Sequence, residues 1–159
     1  MQAAKSKRGL AAIIGAVAAA GALLVVPKWE GTELKTYKDI GNVLTYCTGA
    51  TENAMWGKTY TVEECKAQLD RDLARHAEGM MACIHVPLTD GQKVAFLSAT
   101  YNIGISAFCG SSMAKRANAG DYAGACAALS MWNRVGGKEV LGLTRRRADE
   151  RAICEGRKP

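Results

Sequence analysis

Three features of the sequence predict an α+β fold, mostly helical, with a small sheet lobe joined by a long helix to a larger helical lobe. Residues 30–51 are rich in Gly, Thr and Tyr and alternate through Asn42-Val43-Leu44-Thr45-Tyr46, the pattern of a small hairpin sheet. Two capping boxes, Thr61-Val62-Glu63-Glu64 and Thr89-Asp90-Gly91-Gln92, mark helix starts. In each, the hydroxyl and the side chain three residues on can satisfy backbone N–H groups that a helix end leaves unpaired. The C-terminal half is Ala-rich and reads as further short helices.

The first capping box opens a helix that carries Val62, Cys65, Leu69 and Leu73 on one face and runs to about Met81. Val86-Pro87 breaks it. The second box starts KVAFLSATYNIG, which stops near Gly104. Short helices are expected over 113–118 and 122–131, and residues 133–142, with Gly136-Gly137, read as a loop. LTRRRADERAIC forms the last helix, on which Glu150 can reach Arg146 or Arg147. The expected organisation is an N-terminal segment over 1–27 and a domain over 28–159. Within that domain the small lobe covers about 28–60, the linking helix about 61–82 and the helical lobe about 86–159.

A chain of 159 residues, 48% hydrophobic and 23% charged, can bury a real core. Its net charge of +6 suits an anionic partner: nucleic acid, lipid headgroups or wall polymers. No array of aromatic and basic residues for base stacking is present, so nucleic acid is not expected. Six cysteines occur without CxxC or zinc-type Cys/His spacing, and the only histidines are His76 and His85. Disulfides in an oxidising compartment are favoured over metal binding or thiol catalysis, and neither metal nor cofactor is expected. Six cysteines allow fifteen pairings. The expected set is Cys47–Cys65, Cys83–Cys109 and Cys126–Cys154, each closing a loop local to one lobe.

MQAAKSKR carries Lys5, Lys7 and Arg8 and no acid, and an uncharged run follows over residues 9–26. A positive end and an apolar run make an export signal. The run has 18 residues, at the lower edge of what spans a bilayer, and ten of them are Ala or Gly. Its eight Leu, Ile and Val residues offer only about 3–4 kcal/mol of insertion free energy. Three readings compete: a cleaved signal peptide, a permanent anchor, and a signal anchor that inserts and later leaves the membrane. The weak hydrophobicity disfavours the second. Cleavage within the Ala-rich stretch would leave a very short apolar remainder, which disfavours the first.

Separated from that run by three residues stands Glu30, followed by Asp39 and Thr45 in the spacing Glu-x8-Asp-x5-Thr. Glycoside cleavage needs a protonated carboxylic acid for the leaving oxygen and a carboxylate that stabilises charge or directs a water. Glu30 has Pro27, Trp29 and Leu34 as apolar sequence neighbours, which would favour its protonated form on burial. Asp39 lies among polar turn residues that favour ionisation, and the Thr45 hydroxyl can hold a water beside it.

The triad resembles that of phage-type lysozymes, the endolysins that digest host peptidoglycan. The likeness continues through LTDGQ, FLSATYNIG, GDYAGACAAL, WNRVGGKEVLGL and TRRRADERAIC, and so covers residues 28–157. The N terminus resembles the signal-anchor-release segment of a membrane-tethered subgroup. The resemblance implies a two-lobed lysozyme-like fold and a muramidase that cuts the β-1,4 bond between N-acetylmuramic acid and N-acetylglucosamine, with inversion. It implies Glu30 as proton donor, Asp39 as the group that directs water or stabilises charge, and Thr45 as its partner in holding that water. Tyr101 and Asn102 match cleft positions, and Arg146 matches an arginine that pairs with the catalytic Glu. A monomer is expected, tethered to the inner membrane through residues 9–26, facing the periplasm, and then released into it.

One departure concerns the loop after Thr45. Many relatives have a His there in a Gly-x-Gly-His context, whereas this chain reads Tyr46-Cys47-Thr48-Gly49-Ala50. Two alternatives share the scaffold. A lytic transglycosylase needs the Glu but no water-directing Asp, and a wall-binding protein needs neither.

Overall fold

The computed structural model describes residues 8–159. The chain opens with two helices, α1 (Leu10–Ile14) and α2 (Ala16–Glu30), separated at Gly15. A hairpin follows, formed by β1 (Glu33–Lys38) and β2 (Leu44–Cys47). The long α3 (Val62–Cys83) links it to a helical body of α4 (Asp90–Ile103), α5 (Ile105–Cys109), α6 (Ser112–Asn118) and α7 (Tyr122–Ala128). A 3₁₀ turn (Leu129–Met131), the short strands β3 (Arg134–Val135) and β4 (Lys138–Glu139), and α8 (Leu141–Cys154) complete it.

Both capping boxes form as expected. Thr61 Oγ1 accepts from Glu64 N at 3.1 Å while Glu64 Oε2 accepts from Thr61 N at 2.7 Å. Thr89 and Gln92 repeat the exchange at 3.1 and 2.9 Å. Two expectations need correction. Residues 133–142 are not all loop, because Arg134–Val135 and Lys138–Glu139 pair antiparallel around the two glycines. Val62 does not share the buried face of α3, being half exposed where Cys65, Leu69 and Leu73 are buried.

The N-terminal run is not a single long rod. Among the described residues no helix is long and apolar enough to cross a membrane. Instead α1 and α2 fold back onto the helical body. Leu10, Ile14, Ala18, Ala19, Ala22 and Val26 are buried in the same core as Leu73, Phe96, Leu97, Phe108, Met113 and Leu129. Small residues let α2 lie close on α4: a Cβ added at Gly21 would stand 2.8 Å from Val94 Cγ2. The Lys93 ammonium donates to the Ile14 carbonyl at 3.1 Å, satisfying an end group of α1. α2 crosses the boundary expected near residue 27 and ends on Glu30 itself. Gly31 then takes φ +71°, a left-handed conformation that lets its N–H close on the Pro27 carbonyl and turns the chain into β1.

The small lobe has its own core. Cys47, Cys65 and Tyr60 are buried together, and Tyr46 stacks on Tyr60 with ring centroids 4.4 Å apart. Three disulfides staple the molecule. Cys47–Cys65 ties β2 to α3, Cys83–Cys109 ties α3 to α5, and Cys126–Cys154 ties α7 to α8. The described residues contain no free cysteine.

Candidate active site

Glu30 is the last residue of α2, and its half-buried carboxylate meets a charged partner. Arg146 Nη1 donates to Glu30 Oε1 at 2.6 Å. The apolar surroundings expected from the local sequence are not what the carboxylate finds. Trp29 turns away to Asp149, and Leu34 is partly exposed. The guanidinium is itself pinned on its other sides. Its Nε donates to Glu150 Oε1 at 3.0 Å, and its Nη2 donates to the Ser98 carbonyl at 3.0 Å. Ser98 Oγ donates to Glu150 Oε1 at 2.7 Å. Glu150 and Ser98 are fully buried, and Arg147 Nε closes the cluster 3.2 Å from Glu150 Oε2. A buried guanidinium held through its Nε and its Nη2 presents Nη1 to Glu30.

Asp39 and Thr45 belong to the hairpin. The register sets Tyr37 opposite Thr45 and Lys38 opposite Leu44, which leaves Asp39 to open the turn. Val43 joins the pair: its N–H donates to Asp39 Oδ1 at 2.9 Å, and its carbonyl accepts from Thr45 Oγ1 at 3.0 Å. Asp39 is exposed, whereas Thr45 is buried with only its hydroxyl committed to this turn. The Tyr37 phenol is raised from its ordinary range by burial first, then by the charges of Glu33, Asp39 and Glu30. Glu30 and Asp39 therefore act on a common neighbour.

The loop after β2 closes the arrangement. A Cβ at Gly49 would lie 3.7 Å from Glu30 Oε2 and 3.9 Å from Tyr101 Cε1, so this backbone passes against the Glu30 carboxylate. Tyr101 donates its hydroxyl to the Thr48 carbonyl, and buried Gln68 accepts from Thr48 N at 3.0 Å. Burial pushes the Tyr101 phenol well above its ordinary range, so it stays a neutral donor. With the Cys47–Cys65 bridge, Gln68 and Tyr101 hold the loop after β2. His76 packs on the Tyr101 ring at 4.9 Å, and burial lowers its pKa. Asn102 is exposed, with its Oδ1 bound 2.6 Å from Arg147 Nη2.

Sequence reasoning alone missed Ser98, Gln68, Gly49 and Asp149. Ser98 and Gln68 left a faint signal as polar residues on otherwise apolar helix faces. Among the described residues no cluster of His, Cys, Asp and Glu could hold a metal ion.

A hairpin lobe and a helical lobe joined by one long helix, with an acid–arginine pair where they meet, define the lysozyme class of glycosidase folds. The phage lysozyme family model matches residues 27–150. The SAR-endolysin of Enterobacteria phage P21 is 41% identical over 155 residues, covering 93% of this chain and 94% of that protein. Among solved structures, an endolysin from Escherichia coli O157:H7 phage FAHEc1 superposes with a TM-score of 0.77 at 33% identity, over 84% of this chain and 90% of that one. The muramidase domain of SpmX from Asticaccaulis excentricus superposes with a TM-score of 0.78 at 29% identity, over 84% and 93%. The chain belongs to the phage lysozyme family and is an endolysin, a glycoside hydrolase whose activity fits host lysis.

Proposed function

We propose that the enzyme is a muramidase that hydrolyses the β-1,4 bond between N-acetylmuramic acid and N-acetylglucosamine in peptidoglycan, with inversion. Glu30 donates the proton to the leaving oxygen. Asp39 directs the attacking water or stabilises developing positive charge, and Thr45 helps to hold that water. Tyr101 supports the loop beside Glu30, and Arg146 fixes the direction of its carboxylate. The observation that carries this reading is the contact of the buried, anchored Arg146 guanidinium with Glu30 through Nη1, with the Asp39–Val43–Thr45 turn in the hairpin lobe. Inversion needs the two carboxyl groups about 6.5–9.5 Å apart, so that a water fits between them.

The N-terminal run serves first as a signal anchor in the inner membrane and then as α1 and α2 of the released, monomeric, periplasmic enzyme. While residues 9–26 lie in the bilayer, Glu30 cannot reach Arg146, and the tethered form is inactive. This reading gains support from the position of Glu30 as the last residue of the helix that the apolar run forms. It also gains support from the similarity to a protein named SAR-endolysin.

Digestion of purified peptidoglycan tests the chemistry. Mass spectrometry should show reducing-end muramic acid from the unaltered enzyme, and no products from Glu30→Gln or Asp39→Asn. Products ending in 1,6-anhydromuramic acid would make it a lytic transglycosylase. Lysis by Glu30→Gln at the unaltered rate would leave only a wall-binding role.

A further inference from the structure

The polar contacts at the end of α2 go beyond the Glu30–Arg146 pair. Lys28, Trp29 and Glu30 are consecutive, and all three side chains grip α8. Trp29 Nε1 donates to Asp149 Oδ2 at 3.0 Å, and Lys28 Nζ donates to the same oxygen at 3.1 Å. Lys158, from the chain's C-terminal segment, binds the other oxygen, Oδ1. Asp149 stands three residues after Arg146, one helical turn along the same face of α8. Its side chain is 8% exposed although it carries a charge. All of its close partners are donors that belong to other segments. Trp29 is the sole indole in α2, and its ring body lies against Lys28 at 5.1 Å, so its position is fixed from two sides.

We propose that Asp149 is a positioning residue for catalysis: with Trp29 and Lys28 it forms a latch that seats the last turn of α2 on α8 and so aims Glu30. The inference rests on the assignment of Glu30 as proton donor. The physical reason is leverage. Glu30 sits at the very end of a helix, next to Gly31 in a left-handed turn, where few backbone bonds restrain the last turn. The Glu30–Arg146 contact alone cannot fix both the distance and the rotation of that turn. A second attachment one residue earlier, to a side chain one turn along the partner helix, removes the remaining freedom. The latch also couples seating to chemistry, because Lys28 and Trp29 reach Asp149 only when α2 is packed on the helical body with its last turn against α8. Release of the N-terminal helix and aiming of its acid are then a single event.

The test uses the full-length soluble enzyme with four variants. Trp29→Phe keeps the aromatic body and removes one N–H, Asp149→Ala removes the acceptor, the double variant combines them, and Glu30→Gln is the reference. A misplacement of about 1 Å can cost on the order of a hundredfold in rate. Each latch variant, folded and with a thermal midpoint near that of the parent, should lose about five- to thirtyfold in kcat with KM unchanged, a fraction of that ceiling. The double variant should lose no more than the worse single variant, because one hydrogen bond links the two sites. A merely structural role would lower the yield or the midpoint and leave kcat of the folded fraction unchanged. Glu30→Gln inactive while Trp29→Phe and Asp149→Ala keep full kcat would overturn the latch alone. Full kcat in Glu30→Gln would overturn the assignment of Glu30, and the latch with it.

Discussion

Two alanines on the same helix separate the two lives proposed for the N-terminal segment. Ala22 is fully buried against the helical core, whereas Ala20, two residues earlier, faces solvent. Changing either to Leu alters helix propensity almost equally, and either leucine adds about 0.5 kcal/mol to insertion in a bilayer. Their effects on the folded enzyme differ. A leucine at position 22 forces three more carbons into a close-packed site at a cost of about 1–3 kcal/mol, while a leucine at position 20 meets water. Together these terms favour the membrane-held form of Ala22→Leu by about 1.5–3.5 kcal/mol, roughly ten- to several-hundred-fold in the equilibrium. For Ala20→Leu the shift is about twofold. The assay is the fraction of enzyme in the membrane pellet against the soluble fraction, with the time of lysis recorded alongside. Ala22→Leu should stay in the pellet and delay lysis, and Ala20→Leu should behave close to the parent. Equal partition of the two variants would refute the claim that the apolar helix must pack into the lobe on release.

Three further outcomes follow from the structure. Arg146→Met strips the guanidinium from buried Glu150 and from Glu30, and breaking a buried pair in this way should cost about 3–5 kcal/mol in denaturant titration. A loss under about 1 kcal/mol would mean that the cluster does not carry the charge as described. Replacing Cys126 and Cys154 together by Ser opens a loop with a sequence separation of 28, and chain entropy sets the expected loss at about 3–4 kcal/mol. An unchanged thermal midpoint would contradict that link between α7 and α8. For acid stability, burial pushes the Asp149 carboxyl up, but hydrogen bonds from Lys158, Trp29 and Lys28 outweigh it and hold its pKa below the usual value. A lowered native pKa gives stability that is present above the ordinary carboxylate range and lost as pH falls through the native value. Denaturation of Asp149→Asn across that window should therefore show a shallower acid loss than the parent, and parallel curves would contradict it.

Much of this molecule was legible because short-range chemistry set it. The two capping boxes fixed the starts of α3 and α4 through contacts three residues apart, which a sequence displays directly. The triad spacing was equally readable, and the hairpin register explains it: Asp39 and Thr45 must flank Val43 to share its backbone groups. What stayed hidden depends on long separation. Asp149 lies 120 residues from Trp29 and Ser98 lies 48 from Arg146, and nothing in either local stretch announces the partner. The small strands at 134–135 and 138–139 were hidden for a different reason, since two-residue pairing around a Gly-Gly turn leaves no alternation to detect. The run over 9–26 was ambiguous in kind. The same Gly and Ala residues that weaken it as an anchor let α2 close on α4, so composition alone suited both environments.

The account stands or falls on the N-terminal helices being part of the working enzyme. α1 and α2 supply Leu10, Ile14, Val26 and three alanines to the core. The three large side chains alone represent about 5–9 kcal/mol of burial, comparable with the whole stability of a small domain. The most direct measurement is the intact mass of the soluble, lytically active enzyme recovered from the periplasm. The mass should correspond to a chain that retains residues 9–26. A fully active soluble species that begins beyond residue 26 would contradict it.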